Sequence, residues 1–260
     1  MASRRSNKRK RRNRGRFGFL YKMLSLIIIL VVIAAGCVVF FRVEDITVSG
    51  VSRYTAQEII DASGVAQGDN LFLVGSSRTA QKIYSTLPYV DEVNIRHALP
   101  DGIVITVTER VPAAVIQGDD GWWIIDAKGK ILDGVSRPEQ AGVAEVTGLT
   151  ALLPAVGTTL AVEDADSLKL ESLLSLLKAL SQRDMISKIS TIDLSSAAEV
   201  SMFYDGRLTV KMKLLGAAEF SEQVRDFAAI LEQCIAQDNE RGTLDMTLNT
   251  PHFIPQYGEN

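Results

Sequence analysis

The feature that most constrains this chain is an uncharged apolar run close to its N-terminus. Residues 23–41 number nineteen, and only Ser25 and Gly36 among them are not apolar. As a helix with a rise of about 1.5 Å per residue, the run would reach roughly 28 Å, close to the hydrocarbon thickness of a bilayer. We therefore predict a transmembrane helix over residues 23–41.

The basic residues are concentrated at one end of this run. Residues 1–42 carry 11 of the 28 lysines and arginines and no acidic residue, which leaves 17 basic against 31 acidic side chains in the rest of the chain. The formal net charge of −3 therefore combines a +11 head with a −14 body. Ten basic residues precede the run and Arg42 alone follows it closely, so the positive-inside bias predicts a cytoplasmic tail over residues 1–22 and an exported body.

Three other interpretations of the N-terminal region stay open. The basic stretch could bind nucleic acid, the apolar run could be a cleaved signal peptide, and Ala34-Ala35-Gly36-Cys37 partly resembles a lipoprotein cleavage box. Against them, the run exceeds the about 7–15 residues of a signal-peptide core, and it stays apolar after Cys37. The acidic body does not favour nucleic acid either. We expect the lipid bilayer, and no nucleic acid, as a partner of this region.

Residues 43–112 predict the order β-α-α-β-β. Thr55 and Glu58 have the spacing of a capping box, and Gly64 supplies a left-handed helix end. A second helix is predicted from about Ser77 to Pro88, with one apolar face formed by Ala80, Ile83, Tyr84 and Leu87. Alternating apolar residues predict strands at 43–49, 93–97 and 103–109, the last two joined by the turn at 100–102.

Residues 113–250 predict a second unit that mixes helices with a largely antiparallel sheet. Residues 122–126, with adjacent tryptophans, predict a strand, and a leucine stripe predicts a helix at about 165–183. Strands at 189–194, 199–204 and 208–214 precede a second helix at about 217–236 and a final strand at 243–248. Residues 251–260 contain two prolines and no periodicity, so they are predicted to be a tail.

Four motifs stand in a fixed order behind the apolar run. They are Ile46-Thr47-Val48-Ser49-Gly50, Gly68-Asp69-Asn70-Leu71-Phe72, Leu99-Pro100-Asp101-Gly102 and Glu109-Arg110-Val111-Pro112-Ala113-Ala114. Together with the single span, they resemble the FtsQ family of bacterial cell-division proteins, called DivIB in Gram-positive bacteria. The resemblance covers nearly the whole chain and implies an α+β protein: a transmembrane helix, a POTRA-like domain over 43–112 and a second mixed α/β domain over 113–250. Thr247 departs from the family pattern, which has an arginine there.

The resemblance also implies a function. It implies a non-catalytic bitopic scaffold of the division septum that recruits two small coiled-coil membrane proteins, FtsB (DivIC) and FtsL, through the C-terminal end of its second domain. The strand at 243–248 is the last predicted element, so we expect it at a sheet edge, where a partner segment could be added as a further strand. The predicted partner-binding residues are Thr243, Leu244, Asp245, Met246, Thr247 and Leu248, with Phe253 and Tyr257 as anchors in the tail.

The sequence offers no convincing catalytic or metal signature. Ser175 and Lys178 match an S-x-x-K pattern, but no K-T-G accompanies them and both lie in the leucine-striped helix. His97 and His252 have no Cys or His close by in the sequence to complete a metal site. We expect no catalytic residue, no cofactor, no metal and no small-molecule substrate. The alternative that stays open is a membrane-anchored envelope enzyme, or an adaptor for transport or assembly.

The charge asymmetry makes a prediction about topology. Alkaline phosphatase fused after Asn260 should be active in cells, because the positive-inside bias places the C-terminal region outside the cytoplasm. The same reporter fused after Lys22 should be inactive. The opposite pair of activities would contradict the predicted orientation.

Overall fold

The computed structural model of the chain describes residues 15–214, 217–234, 241–248 and 250–256. The predicted basic tail therefore lies largely outside the described residues. The elements follow in this order: α1 (Gly15–Phe40), β1 (Asp45–Ser49), α2 (Ala56–Ser63), α3 (Ser76–Thr86), β2 (Val90–Ala98), β3 (Gly102–Glu109), β4 (Pro112–Gly118), β5 (Gly121–Asp126), β6 (Ile131–Val135), β7 (Ala144–Ala151), α4 (Ser167–Ser181), β8 (Ile189–Asp193), β9 (Glu199–Tyr204), β10 (Leu208–Lys213), α5 (Ala217–Cys234), β11 (Gly242–Asp245) and β12 (His252–Pro255).

Helix α1 covers the predicted apolar span of residues 23–41 except for its last residue, Phe41. Its segment Gly18–Val38 is 21 residues long, and none of it is buried against the rest of the protein. A helix that is apolar on every side and packs against nothing needs an apolar surrounding. The helix is therefore consistent with a membrane anchor.

The first sheet has the strand order β1-β3-β2, in which β1 runs parallel and β2 antiparallel to β3. Helices α2 and α3 complete its core, where Ile59 and Ile83 meet Ile103, Ile105 and Val107 of β3. All five side chains are at most 2% exposed. The alternation predicted for β3 is confirmed, and this strand is the centre of the unit.

The predicted boundaries of α2 are also confirmed. The Thr55 hydroxyl accepts the N–H of Glu58, the Glu58 carboxylate accepts the N–H of Thr55, and Gly64 ends the helix with φ of 66°. The prediction for the buried face of α3 is wrong at Tyr84, which is 39% exposed. Thr79 takes the buried position one turn before Ile83, and the Tyr84 hydroxyl accepts the N–H of Val93 (2.9 Å) at the rim of the sheet.

The second sheet has nine strands among the described residues, in the order β12-β11-β10-β9-β8-β7-β4-β5-β6. The pairs β4–β7, β7–β8 and β10–β11 are parallel and the others are antiparallel. Helices α4 and α5 pack against each other and against this sheet, with Leu173, Leu177, Phe220 and Phe227 in the shared core. The predicted α+β class with a largely antiparallel sheet is confirmed.

The C-terminal end of this sheet differs from the prediction. The strand expected over 243–248 is shorter, and it lies between β10 and β12 rather than at the edge. The edge strand is β12, formed by residues that were predicted to belong to the tail. A four-residue strand between prolines has no hydrophobic period to detect, because main-chain pairing rather than side-chain burial defines it.

A network of charges joins the two sheets. The Arg110 guanidinium pairs with Asp91 (3.1 Å) and with Asp126, and its Nε donates to the carbonyl of Val90 (3.0 Å). Asp126 is 4% exposed and also accepts the N–H of Lys128 (2.8 Å). The Lys128 ammonium returns to Asp91 (2.7 Å). Because Asp91 lies in β2, Arg110 follows β3 and Asp126 ends β5, the network links the two sheets.

Glu109, the last residue of β3, binds the loop before α2 to the first sheet. Its carboxylate accepts the Ser52 hydroxyl (2.6 Å) and the N–H groups of Ser52 (3.1 Å), Arg53 (2.9 Å) and Tyr54 (3.2 Å). Burial alone would raise the pKa of this carboxyl, but the Ser52 hydroxyl and the backbone donors outweigh it and lower the pKa to about 2. The ionised carboxylate therefore accepts the backbone N–H groups of this loop, as the carbonyls of a neighbouring strand would.

Replacing Glu109 by Gln should destabilise the protein in a pH-dependent way. At pH 7 the free energy of unfolding should fall by about 1–3 kcal/mol, since the loop loses a charged acceptor of several hydrogen bonds. The folded pKa lies below the ordinary value of 4.5, so the contribution is complete above pH 4.5 and is lost as the pH falls towards 2. Urea unfolding of the detergent-solubilised chain, followed by circular dichroism across this range, measures it.

Glu92→Gln is the matched control, because Glu92 is exposed on the neighbouring strand β2. It should change the unfolding free energy little at any pH. Equal effects of the two substitutions would contradict the role assigned to Glu109.

Candidate functional site

The strongest candidate site is the C-terminal edge of the second sheet, where β12 lies on β11. The four pairs run from Gly242 with Pro255 to Asp245 with His252. A Cβ on Gly242 would collide with the carbonyl of Ile254 and with the Phe253 ring. Gly242 is therefore required for β12 to approach, and the Phe253 ring covers it.

Among the described residues, no strand pairs with the outward side of β12. Gln256 donates its N–H to the carbonyl of Arg241 (2.8 Å). Because pairing alternates along an antiparallel ladder, the main-chain N–H and C=O groups of residues 252, 254 and 256 point towards β11. The main-chain groups of residues 251, 253 and 255 then point outwards. Two of these residues are Pro251 and Pro255, which have no N–H. The edge thus offers carbonyls from this strand but a single N–H, that of Phe253, so only a short segment could pair with it.

The side chains of this edge divide between two faces of the sheet. Leu244 is 4% exposed and Phe253 packs against the same core. On the open face, the register places Phe203, Thr209, Thr243 and Ile254 in one row across four strands. Phe203 and Ile254 at the two ends of this row are 36% and 52% exposed. The row is an apolar and β-branched strip beside the edge.

A tight turn follows β11. The Asp245 carboxylate accepts the N–H of Thr247 (2.8 Å) and its hydroxyl (2.6 Å). The Thr247 hydroxyl and N–H hold the pKa of Asp245 below its usual value. Met246 is buried while Leu248 is 60% exposed. The turn thus directs the chain back towards β12 and leaves Leu248 in solvent.

A groove of 280 Å³ lies between α5 and this turn. Its lining combines three acidic side chains with one basic, one amide and three apolar residues: Glu219, Glu222, Asp226, Lys213, Gln223, Met246, Leu248 and Pro251. Both polar atoms of the Gln223 side chain are buried and have no hydrogen-bond partner among the described residues. A buried amide without partners costs free energy, so an apolar side chain of similar size should be tolerated at this position.

The structure distributes the sequence-predicted residues over several environments. Leu244 and Met246 belong to the core, Phe253 is partly buried against it, and Asp245 and Thr247 form the turn. Thr243 and Leu248 lie at the surface of the edge, and Tyr257 lies outside the described residues.

Sequence reasoning missed Ile254, Gln223 and the main chain of β12. The signal for β12 was the spacing of Pro251 and Pro255, because proline within sheets is confined to edge strands and strand ends. Nothing in the sequence distinguishes Gln223 from the other polar residues of an amphipathic helix.

A second concavity, of 850 Å³, lies along α4 and contains Ser175 and Lys178. The Ser175 hydroxyl donates to the carbonyl of Glu171 (2.7 Å), one turn earlier in the helix. This bond engages the hydroxyl with its own helix instead of with a base. His97 and His252 are exposed on β2 and β12, and no group of three or more metal-ligating side chains occurs within the described ranges.

Two family models match consecutive parts of the chain. The model described as "POTRA domain, FtsQ-type" matches residues 41–110. The model described as "Cell division protein FtsQ/DivIB, C-terminal" matches residues 114–247. Together they cover most of the region that follows α1.

Curated relatives show the same similarity over longer stretches. A cell division protein FtsQ from Corynebacterium glutamicum is 30% identical over 172 residues, which are 63% of this chain and 76% of the relative. A cell division protein DivIB from Clostridium acetobutylicum is 27% identical over 171 residues, covering 66% of this chain and 67% of the relative. A cell division protein FtsQ from Streptomyces coelicolor is 31% identical over 124 residues, covering 45% and 47%.

Gln223→Leu should stabilise the unliganded chain by about 1 kcal/mol, because an apolar side chain of similar size leaves no buried amide unpaired. Urea unfolding compared with the wild-type chain measures the effect. Gln182→Leu is the control, because Gln182 is exposed and directly follows α4, and it should have little effect. A loss of stability in Gln223→Leu would show that the amide already has a partner.

Proposed function

Because the chain belongs to the FtsQ/DivIB family of cell-division proteins, we propose that it is a non-catalytic, single-span scaffold of the division machinery. In this proposal α1 crosses the membrane of the division septum with residues 1–22 in the cytoplasm. The two sheets belong to two exported domains, residues 43–112 and 113–250. The second domain binds small bitopic partners similar to FtsB (DivIC) and FtsL.

The charge distribution supports this orientation. The basic residues before the span are held on the cytoplasmic side by the positive-inside bias, and the acidic remainder is soluble on the other side. The apolar segment Gly18–Val38 has the length that a bilayer requires. The first sheet begins five residues after α1 ends, so the domains would stand directly at the outer membrane surface.

The observation that carries the proposal is the unpaired outward edge of β12. An added strand from a partner would accept the N–H of Phe253 and donate to the carbonyls on either side of it. Pro251 and Pro255 limit the pairing to a few residues, which suits a specific short segment and disfavours extended edge-to-edge aggregation.

Two neighbouring surfaces can provide specificity beside the main-chain bonds. The row that ends in Ile254 offers an apolar strip on the open face to side chains of the added strand or of an adjoining helix. The groove between α5 and the turn after β11, lined in part by Met246 and Leu248, offers a second surface to the partner.

Ile254→Asp should weaken partner binding at least about tenfold, roughly 1.4 kcal/mol, because it places a charge in the apolar strip. The measurement is the affinity of the full chain in nanodiscs for purified DivIC/FtsB-like and FtsL-like proteins. Leu168→Asp is the matched control, since Leu168 on α4 is 54% exposed and lies on a helix away from the edge. Equal affinities of the two variants would contradict the strip's role.

Truncation after Asn249 removes β12 and retains β11, so it should abolish binding. Undiminished binding by the truncated chain would contradict the edge proposal.

The enzymatic alternative depends on the concavity at Ser175. Hydrolase activity of the purified chain, if Ser175→Ala abolished it, would overturn the scaffold interpretation.

A further inference from the structure

We propose that Phe72 and Leu73, in the loop between α2 and α3, insert into the lipid headgroup region and dock the first sheet on the membrane. The inference rests on the proposed function only in requiring that α1 spans a bilayer. The partner it assigns to this surface is lipid, not another division protein.

The loop is tied to the end of the span by direct bonds. The Asn70 side-chain amide donates to the carbonyl of Val38 (3.2 Å), and the N–H of Leu71 donates to the carbonyl of Phe41 (3.0 Å). The rings of Phe41 and Phe72 meet edge to face at 4.9 Å between centroids. Because the span ends at Val38, these contacts hold Phe72 at the level where α1 leaves the membrane.

The two side chains at the tip of the loop have no place in the core. Phe72 is 59% and Leu73 is 77% exposed, whereas Leu71 beside them is fully buried and anchors the loop. Phe40 at the end of α1 is 70% exposed and continues the same apolar surface. Adjacent large apolar side chains, continuous with a membrane helix, are typical of an interfacial anchor. Arg42 at the same level supplies a cation for lipid phosphates.

The backbone of the loop is prepared for an environment with little water. The N–H of Phe72 donates to the Asn70 side-chain oxygen (3.0 Å), and the N–H groups of Leu73 (2.9 Å) and Val74 (3.2 Å) donate to the Asn70 carbonyl. Polar backbone groups must be satisfied internally before they leave water. Asn70 thus accepts the N–H groups of the loop, and its side-chain amide also binds the loop to the end of the span.

Docking at this point would orient the rest of the molecule. The carbonyl of Asp101, just before β3, accepts the N–H of Glu44 (2.8 Å), so β3 starts near the membrane. Its eight residues, Gly102–Glu109, extend roughly 26 Å from that end. Val111, 70% exposed, follows the far end of β3 and provides a matched position in water.

The test is the immersion depth of a nitroxide on a single introduced cysteine, Leu73→Cys, Val111→Cys or Ile29→Cys, in a Cys37→Ala, Cys234→Ser background. The full chain is reconstituted in vesicles of equimolar phosphatidylethanolamine and phosphatidylglycerol. Electron paramagnetic resonance compares collisions with oxygen, which concentrates in lipid, against those with a water-soluble nickel complex. Position 29 lies within the span and reports the bilayer interior.

We expect the oxygen-to-nickel ratio at position 73 to lie several-fold above that at 111 and below that at 29. Equal ratios at 73 and 111, with position 29 in lipid, would overturn the docking while leaving the anchor intact. A ratio at 29 as low as that at 111 would overturn the membrane anchor and the docking together.

Discussion

Two adjacent charged side chains, Glu109 and Arg110, hold the region beyond the span together at its centre. Glu109 replaces strand pairing for the loop before α2, and Arg110 reaches the buried Asp126 of the second sheet. Both residues directly follow or end β3, the central strand of the first sheet. A buried charge is costly without its partner. The ion pair of Arg110 with Asp126 therefore favours one arrangement of the two sheets. The position of the candidate edge relative to the first sheet therefore depends on it.

Much of the fold could be predicted where a local rule decides the structure. The capping box at Thr55, the left-handed end at Gly64 and the buried alternation of β3 each depend on residues close in sequence. Tyr84 was misplaced because it lies at the rim of the helical stripe, where only the neighbouring strand decides between burial and exposure. Trp122 and Trp123 pack on opposite faces, with Trp123 against the large core and Trp122 against a smaller cluster that includes Tyr89.

The candidate site could be predicted only to its region. Leu244 and Met246 were assigned to a partner surface because the sequence predicted no strand beyond them, yet β12 covers β11 and both side chains are in the core. Burial of the Gln223 amide depends on α5 packing beside the turn after β11, and no sequence pattern encodes such a contact. We therefore propose the strand addition one strand further outwards, at the main chain of β12 instead of at the buried side chains of β11.

The central claim is that a partner strand pairs with the outward side of β12, and amide hydrogen exchange at single-residue resolution tests it most directly. In the chain alone, the Phe253 amide should exchange fast while the Ile254 amide, which faces β11, is protected. Saturation with a DivIC/FtsB-like partner should slow exchange at Phe253 roughly tenfold or more and leave Ile254 protected. Fast exchange of the Phe253 amide in the saturated complex would contradict the account.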